Sequence, residues 1–184
     1  TKLLMQITVK LRGHRNLRAP NVKLRVNRDC IYDGTVDMDQ MFVFDVENLL
    51  PTNIFGIEHH GKDDRETTHT ADVAVELLSL AFNGISVPDT VLYNKPYYVN
   101  WSRYWPGERP DYVKNTLYFG WNGEYRFDFT SDVKRQYYQQ FWADEAQAHQ
   151  NQNSDEFYRD GEFVAVDNGV DATIFDLERL INNS

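Results

Sequence analysis

The chain has 184 residues, a net charge of −9 and one cysteine. That length allows one domain of ordinary size and an appendage, with enough buried surface to fold unaided, and the lone cysteine excludes an intrachain disulfide or a thiolate metal cluster. No apolar run approaches the roughly 20 residues that span a bilayer, and the first residues lack the order of a signal peptide, so a soluble protein without a membrane partner is expected; a start at Thr1 fits removal of an initiator methionine or processing.

Leu4 to Arg12 alternates Ile7, Val9 and Leu11 with Thr8, Lys10 and Arg12, and Val22, Leu24 and Val26 alternate with Lys23 and Arg25. Both are half-buried strands. Ile31 to Val36 straddles Asp33-Gly34, a predicted turn, and Cys30 just before it is expected to be a small core residue. Met41 to Val46 and Asn53 to His59 add strands, and turn signals every ten residues or so indicate a sandwich or barrel. Val73 to Phe82 carries a mixed pattern that Val73, Val75 and the Asn83-Gly84 turn assign to strand. Residues 88–114 hold four of the six prolines among many Tyr and Trp, which predicts a long structured loop. Leu117 to Phe129 reads as a strand-turn-strand hairpin about Asn122-Gly123.

Beyond Ser131, an expected N-cap, Val133, Tyr137 and Phe141 follow helical spacing. His149 to Ser154 reads as a polar linker, Glu162 to Val166 as a strand, and Asp171 as the cap of a short last helix. The expected organisation is a β-sandwich over 1–130, with its aromatic loop 88–114, and an arm over 131–184 containing helix, linker and acidic tail.

Charge is divided along the chain. Residues 1–28 carry eight Lys or Arg and no acid, whereas residues 144–184 carry ten acids and two arginines. Such asymmetry can steer contacts between copies or dock the arm on its own domain. An acidic chain without a basic, aromatic-studded face argues against nucleic acid.

Four sets of residues stand out as candidates. Asp63, Asp64, Glu66 and Asp72 supply hard oxygen donors of the type calcium takes, six to eight at a time, although their spacing is not that of an EF-hand. His59, His60 and His69 lie nearby, but neighbours on a strand point to opposite faces, so His59 and His60 do not suit one zinc ion and are expected as polar surface residues. Trp101, Tyr104 and Trp105 offer aromatic faces that stack on sugar rings, fill a partner's pocket or cover a core edge. Glu124 with Asp128 is a carboxylate pair of the kind glycoside hydrolysis uses. No nucleophile elbow, phosphate loop, His-Glu-x-x-His or Cys-His pair is present, so no catalytic residue is assigned and no enzyme is expected.

Residues 5–87 resemble the calcium-dependent carbohydrate-binding modules found beside xylanases. The residues that carry the resemblance are Ile7 to Arg12, Asn21 to Asn27, Phe55 to His60, Gly61 to Arg65 and Phe82 to Ser86. It implies a jelly-roll β-sandwich whose loop at Asp63, Asp64 and Arg65 supplies calcium ligands that also hold sugar hydroxyls, although the family's aspartate-tryptophan pair is replaced by Glu66-Thr-Thr-His69. With Tyr118 to Phe129 and Phe141-Trp142 added, the layout is similar to virion-associated proteins of tailed phages, especially those of marine cyanobacteria. That resemblance implies a non-catalytic structural protein of the particle, made in the host cytoplasm, touching other virion proteins in a multi-copy assembly as capsid decoration or tail or neck component. The alternative expectation is a calcium-dependent carbohydrate-binding module with a glycan partner, and the remote one a glycoside hydrolase.

Overall fold

A computed structural model of the protein describes residues 4–132 and Gln147. Thr1–Tyr138 forms one compact unit and Gln139–Ser184 another. The helix predicted after Ser131, the linker, the strand at 162–166 and the last helix lie outside the described residues. No helix among those described is long and apolar enough to cross a membrane.

The first unit is an antiparallel β-sandwich. Among the described residues ten strands run as β1 (Met5–His14), β2 (Asn21–Val26), β3 (Asp29–Thr35), β4 (Met38–Val46), β5 (Thr52–His60), β6 (Ala74–Phe82), β7 (Ile85–Ser86), β8 (Tyr97–Val99), β9 (Tyr118–Phe119) and β10 (Gly123–Thr130). One sheet has the order β4-β1-β6-β7 with β9 also on β6; the other is β3-β2-β5-β10-β8. The chain passes back and forth between the sheets, so the alternating apolar residues of each strand face a shared centre. Ile7, Val9 and Leu11 meet Val22, Leu24, Phe55, Ile57, Tyr125, Phe127 and Phe129, all essentially without solvent exposure. Phe82 of one sheet packs on Phe129 of the other at 4.5 Å between ring centroids. Each such side chain contributes roughly 1.5–3 kcal/mol.

The mixed pattern of Val73 to Phe82 has a physical cause. The β1–β6 register shifts between Lys10 and Leu11, so that Val75 and Leu77 face inward before the irregularity and Leu80 and Phe82 after it. One extra residue in a strand reverses the facing of everything beyond it. Asn83-Gly84 is a turn as expected, with φ values of 51° and 77°.

Two predicted turns are not turns. Asp33 and Gly34 pair with Lys23 and Val22 inside β3, and the chain reverses instead at Asn27-Arg28, where Asn27 has φ 56°. The Asn27 side chain secures that reversal by donating to Asn53 Oδ1 at 3.0 Å and accepting from Ile54 N–H at 2.9 Å. The proposed Leu117–Phe129 hairpin is also absent, because β9 joins one sheet and β10 the other. Asn122 spends its amide on another loop, accepting from Lys62 N–H at 2.8 Å and donating to Lys62 O at 2.9 Å. Gly123 is required by close approach, since a Cβ there would stand 2.3 Å from the Tyr98 carbonyl oxygen.

Residues 88–114 contain a short helix, α1 (Asp89–Tyr93), and β8 before the loop proper begins at Asn100. Cys30 is exposed, contrary to its expected place in the core, because β3 is a sheet edge and the residue faces out. A water-soluble thiol reagent is therefore expected to label Cys30 completely in the native protein, and protection until denaturant is added would contradict this placement.

Candidate functional site

Three connections end at one edge of the sandwich: residues 61–73 between β5 and β6, residues 100–117 after β8, and Gly120 to Asn122 between β9 and β10. Between them lies an open groove of about 920 Å³, lined by Asp63, Asp64, Asn100, Trp101, Tyr104 and Trp121 among others. Trp101 and Trp105 rings lie 5.3 Å apart, and Trp105 meets Trp121 edge-on at 5.8 Å. Tyr104 is 68% exposed. Sequence reading found Trp101, Tyr104 and Trp105 but missed Trp121, whose place in an apparent hairpin turn hid it.

The aromatic loop is fixed by its own backbone. Trp101 Nε1–H donates to Pro110 O at 2.7 Å and Trp105 Nε1–H to Glu108 O at 3.1 Å, while Arg109 donates to the carbonyls of Arg103 and Trp105. Ser102 Oγ–H donates to Asp64 Oδ2 at 2.7 Å, latching this loop to the β5–β6 connection. The indole faces are thus positioned without a ligand.

Lys62 anchors the floor. Its side chain is only 2% exposed, with Nζ 2.5 Å from Asp72 Oδ1, bonded to Gly120 O, and 4.9 Å from the Trp121 ring centroid. Asp72 also accepts from Thr67 Oγ1–H at 2.8 Å and Tyr118 O–H at 3.1 Å. Burial opposes ionisation of Asp72, but Lys62 and Thr67 outweigh it and hold the carboxyl below its usual range. Burial, with Asp72 beside it, pushes the Tyr118 phenol up to about 12.

The four acids considered for calcium do not gather. Asp63 opens the 3-10 turn Asp64–Glu66 and is held by Arg65, whose guanidinium and amide bring its carboxyl down to about 2. Glu66 reaches back to Asp63 N–H and pairs with Arg18, which lowers its carboxyl below the usual range. Asp72 belongs to Lys62. Among the described residues no three His, Cys, Asp or Glu side chains converge. As they stand, the four do not fit the several-oxygen shell of one calcium ion; Asp63 and Asp64 alone face the groove.

The histidines separate as strand alternation requires. His60 faces out, 3.7 Å from Asp33, and His69 is exposed. His59, expected on the surface, is fully buried beneath the Gly120 segment with Nδ1 2.9 Å from Phe119 O. Glu124 and Asp128 stand four residues apart on β10, about 13 Å along the strand. That exceeds the roughly 5–9.5 Å of either glycosidase geometry, and Asp128 is engaged by Lys95 at 2.6 Å.

The cationic end of the chain is largely neutralised in place. Lys10 and Arg12 pair with Asp39, Arg15 with Asp37, Arg18 with Glu66 and Arg25 with Glu58 and Glu124.

No family model matches the chain, and no curated protein matches it. Among solved structures it is similar to "vCBM60 in complex with galactobiose", at 17% identity and a TM-score of 0.45 over 67% of this chain and 99% of that one. A second, the SeMet form of vCBM60 from work linking two families of calcium-dependent carbohydrate binding modules, gives 16% identity and a TM-score of 0.46 over 67% and 89%.

Proposed function

We propose that this domain is a non-catalytic carbohydrate-binding domain that takes a neutral glycan in the groove. The observation that carries the reading is the preset pair Trp101 and Trp121 on the groove wall, both packed against Trp105, beside exposed Tyr104 and facing carboxylate and amide groups. A sugar has one apolar ring face and a rim of hydroxyls, and it is the ligand class that uses both halves of such a wall. Asp63 and Lys62 are each paired with an opposite charge, which favours an uncharged ligand. Asp64 retains one oxygen beyond its bond to Ser102 for a hydroxyl or a cation.

The reading as a virion structural protein, with copies joined through opposite charge, has less support. Its cations on β1 and β2 are mostly paired internally, and its acidic arm lies outside the described residues.

The test is a neutral-glycan array followed by titration of the hits, with calcium and with chelator. Wild type is expected to retain at least one neutral glycan, and Trp101→Ala to weaken it at least about tenfold, the equivalent of 1.4 kcal/mol. Retention of no neutral glycan, or full affinity in Trp101→Ala, would overturn the assignment. Loss with chelator would show that a cation takes part in binding, whereas unchanged binding would assign recognition to the protein's own groups.

A further inference from the structure

We propose that the ligand is an extended oligosaccharide whose chain leaves the tryptophan groove and continues across the outer face of the β3-β2-β5-β10-β8 sheet; the inference rests on the glycan reading above. A second concavity, of about 430 Å³, lies on that face, and it shares Asn100 and Asn122 with the groove. The two depressions therefore meet along one path, with two amides at the junction.

The register explains how this face is built. Lys23, Glu58, Glu124 and Tyr98 stand side by side across β2, β5, β10 and β8. One row further on come Arg25, Gly56 and Arg126. Gly56 leaves the middle of that row without a side chain, and the Glu124 carboxyl occupies the space, 3.2 Å from where a Cβ would be. Arg25 Nη1–H donates to Glu58 and, at 3.1 Å, to Glu124; Arg126 Nε–H donates to Glu124 at 2.6 Å. The Arg126 guanidinium also lies over the Tyr98 ring, 4.3 Å from its centroid.

Two features argue that this is more than a solvated face. Glu58 and Glu124 are directly opposite each other, a like-charge pairing that costs stability and that sheet formation alone does not require. Bridging by Arg25 then leaves a balanced set of two carboxylates and two guanidiniums in fixed positions, with acceptors and planar donors still directed outward. Such a surface suits hydroxyls on both sides of an uncharged chain. A charged polymer would meet charges of both signs, Glu58 and Glu124 against Arg25, Arg126 and Lys23.

The test is calorimetric titration of the full chain with neutral β-linked oligosaccharides of xylose, glucose and galactose, two to six units long. For the sugar that binds, affinity is expected to rise about tenfold or more from two units to five or six. Arg126→Ala, a surface change, is expected to remove most of that gain while leaving the disaccharide unchanged, and Glu58→Gln to act in the same sense. Trp101→Ala, by contrast, weakens every length. Affinity independent of length, or Arg126→Ala and Glu58→Gln variants that keep the full gain, would overturn the inference and leave the groove reading intact. No binding at any length would show that the groove reading itself has failed, and the extension with it.

Discussion

Lys62→Ala is expected to lower the unfolding free energy by about 3–5 kcal/mol, the usual cost of removing one partner from a buried ion pair. Lys62 makes three contacts that nothing else replaces: the Asp72 carboxylate, the Gly120 carbonyl and the face of Trp121. Removing it leaves Asp72 with only hydroxyl donors from Thr67 and Tyr118, and leaves Gly120 O without this donor. Lys62→Met keeps the apolar stem and separates the two causes, since packing is largely retained while the charge is lost. It should cost nearly as much if the ion pair dominates. In the double variant with Asp72→Asn the second change should add little, because no carboxylate is then left uncompensated. Denaturant titration of the four proteins measures this, and a loss under 1 kcal/mol in Lys62→Met would show that the pair is a bystander. The same variants should weaken glycan binding, because Lys62 joins the β5–β6 connection to the segment that carries Trp121.

Period-two alternation made β1, β2, β4 and β5 legible from sequence, because each has one buried face and side chains that obey it; β6, whose facing reverses at its irregularity, was legible from Val73, Val75 and the Asn83-Gly84 turn. What stayed hidden depended on partners distant in the chain. Asn122-Gly123 has the composition of a tight turn, yet its amide is claimed by Lys62, sixty residues earlier, and its glycine by the Tyr98 carbonyl. The misread turn concealed Trp121, and with it the second indole of the groove wall. Asp33-Gly34 failed similarly: Asn27, which holds a positive φ and bonds to the next strand, made the better reversal. Residue type identified Asp63, Asp64, Glu66 and Asp72 as acids near one another. It could not show that Arg65, Arg18 and Lys62 each claim one of them, since Arg18 comes from a distant part of the chain and the fold decides which acid the loop's own Lys62 and Arg65 meet. The carboxylates on the sheet face were equally obscure. Glu58 and Glu124 are sixty-six positions apart and become neighbours only through the β5–β10 register.

Acidification from pH 7 to 5 is expected to destabilise the domain by about 2 kcal/mol through His59 alone, and by about 3 kcal/mol at pH 4. The ring is wholly buried, and burial is the main reason its pKa falls from 6.5 to about 4; the nearby cations Lys62 and Arg18 act in the same direction. With Phe119 O as acceptor, Nδ1 carries the proton of the neutral ring, and Nε2 is enclosed without a hydrogen-bond partner. The unfolded chain therefore takes up a proton at a pH where the folded chain refuses it. Above pH 6.5 neither state binds the proton and stability is unaffected; between 6.5 and 4 only the unfolded state gains it, so stability falls with pH; below 4 the loss levels off. Asp63, Glu66 and Asp72, whose carboxyls are held low, lose their contributions at more acid pH, and subtracting a His59 variant removes what the other histidines add, among them His14 beside Glu76. His59→Gln keeps an N–H donor for Phe119 O and cannot titrate. Its unfolding free energy should fall by about 2 kcal/mol less than that of wild type between pH 7 and 5, and parallel slopes would exclude His59 as the cause. Because the folded state keeps His59 neutral down to about pH 4, glycan affinity should hold between pH 7 and 5 in wild type and in the Gln variant alike.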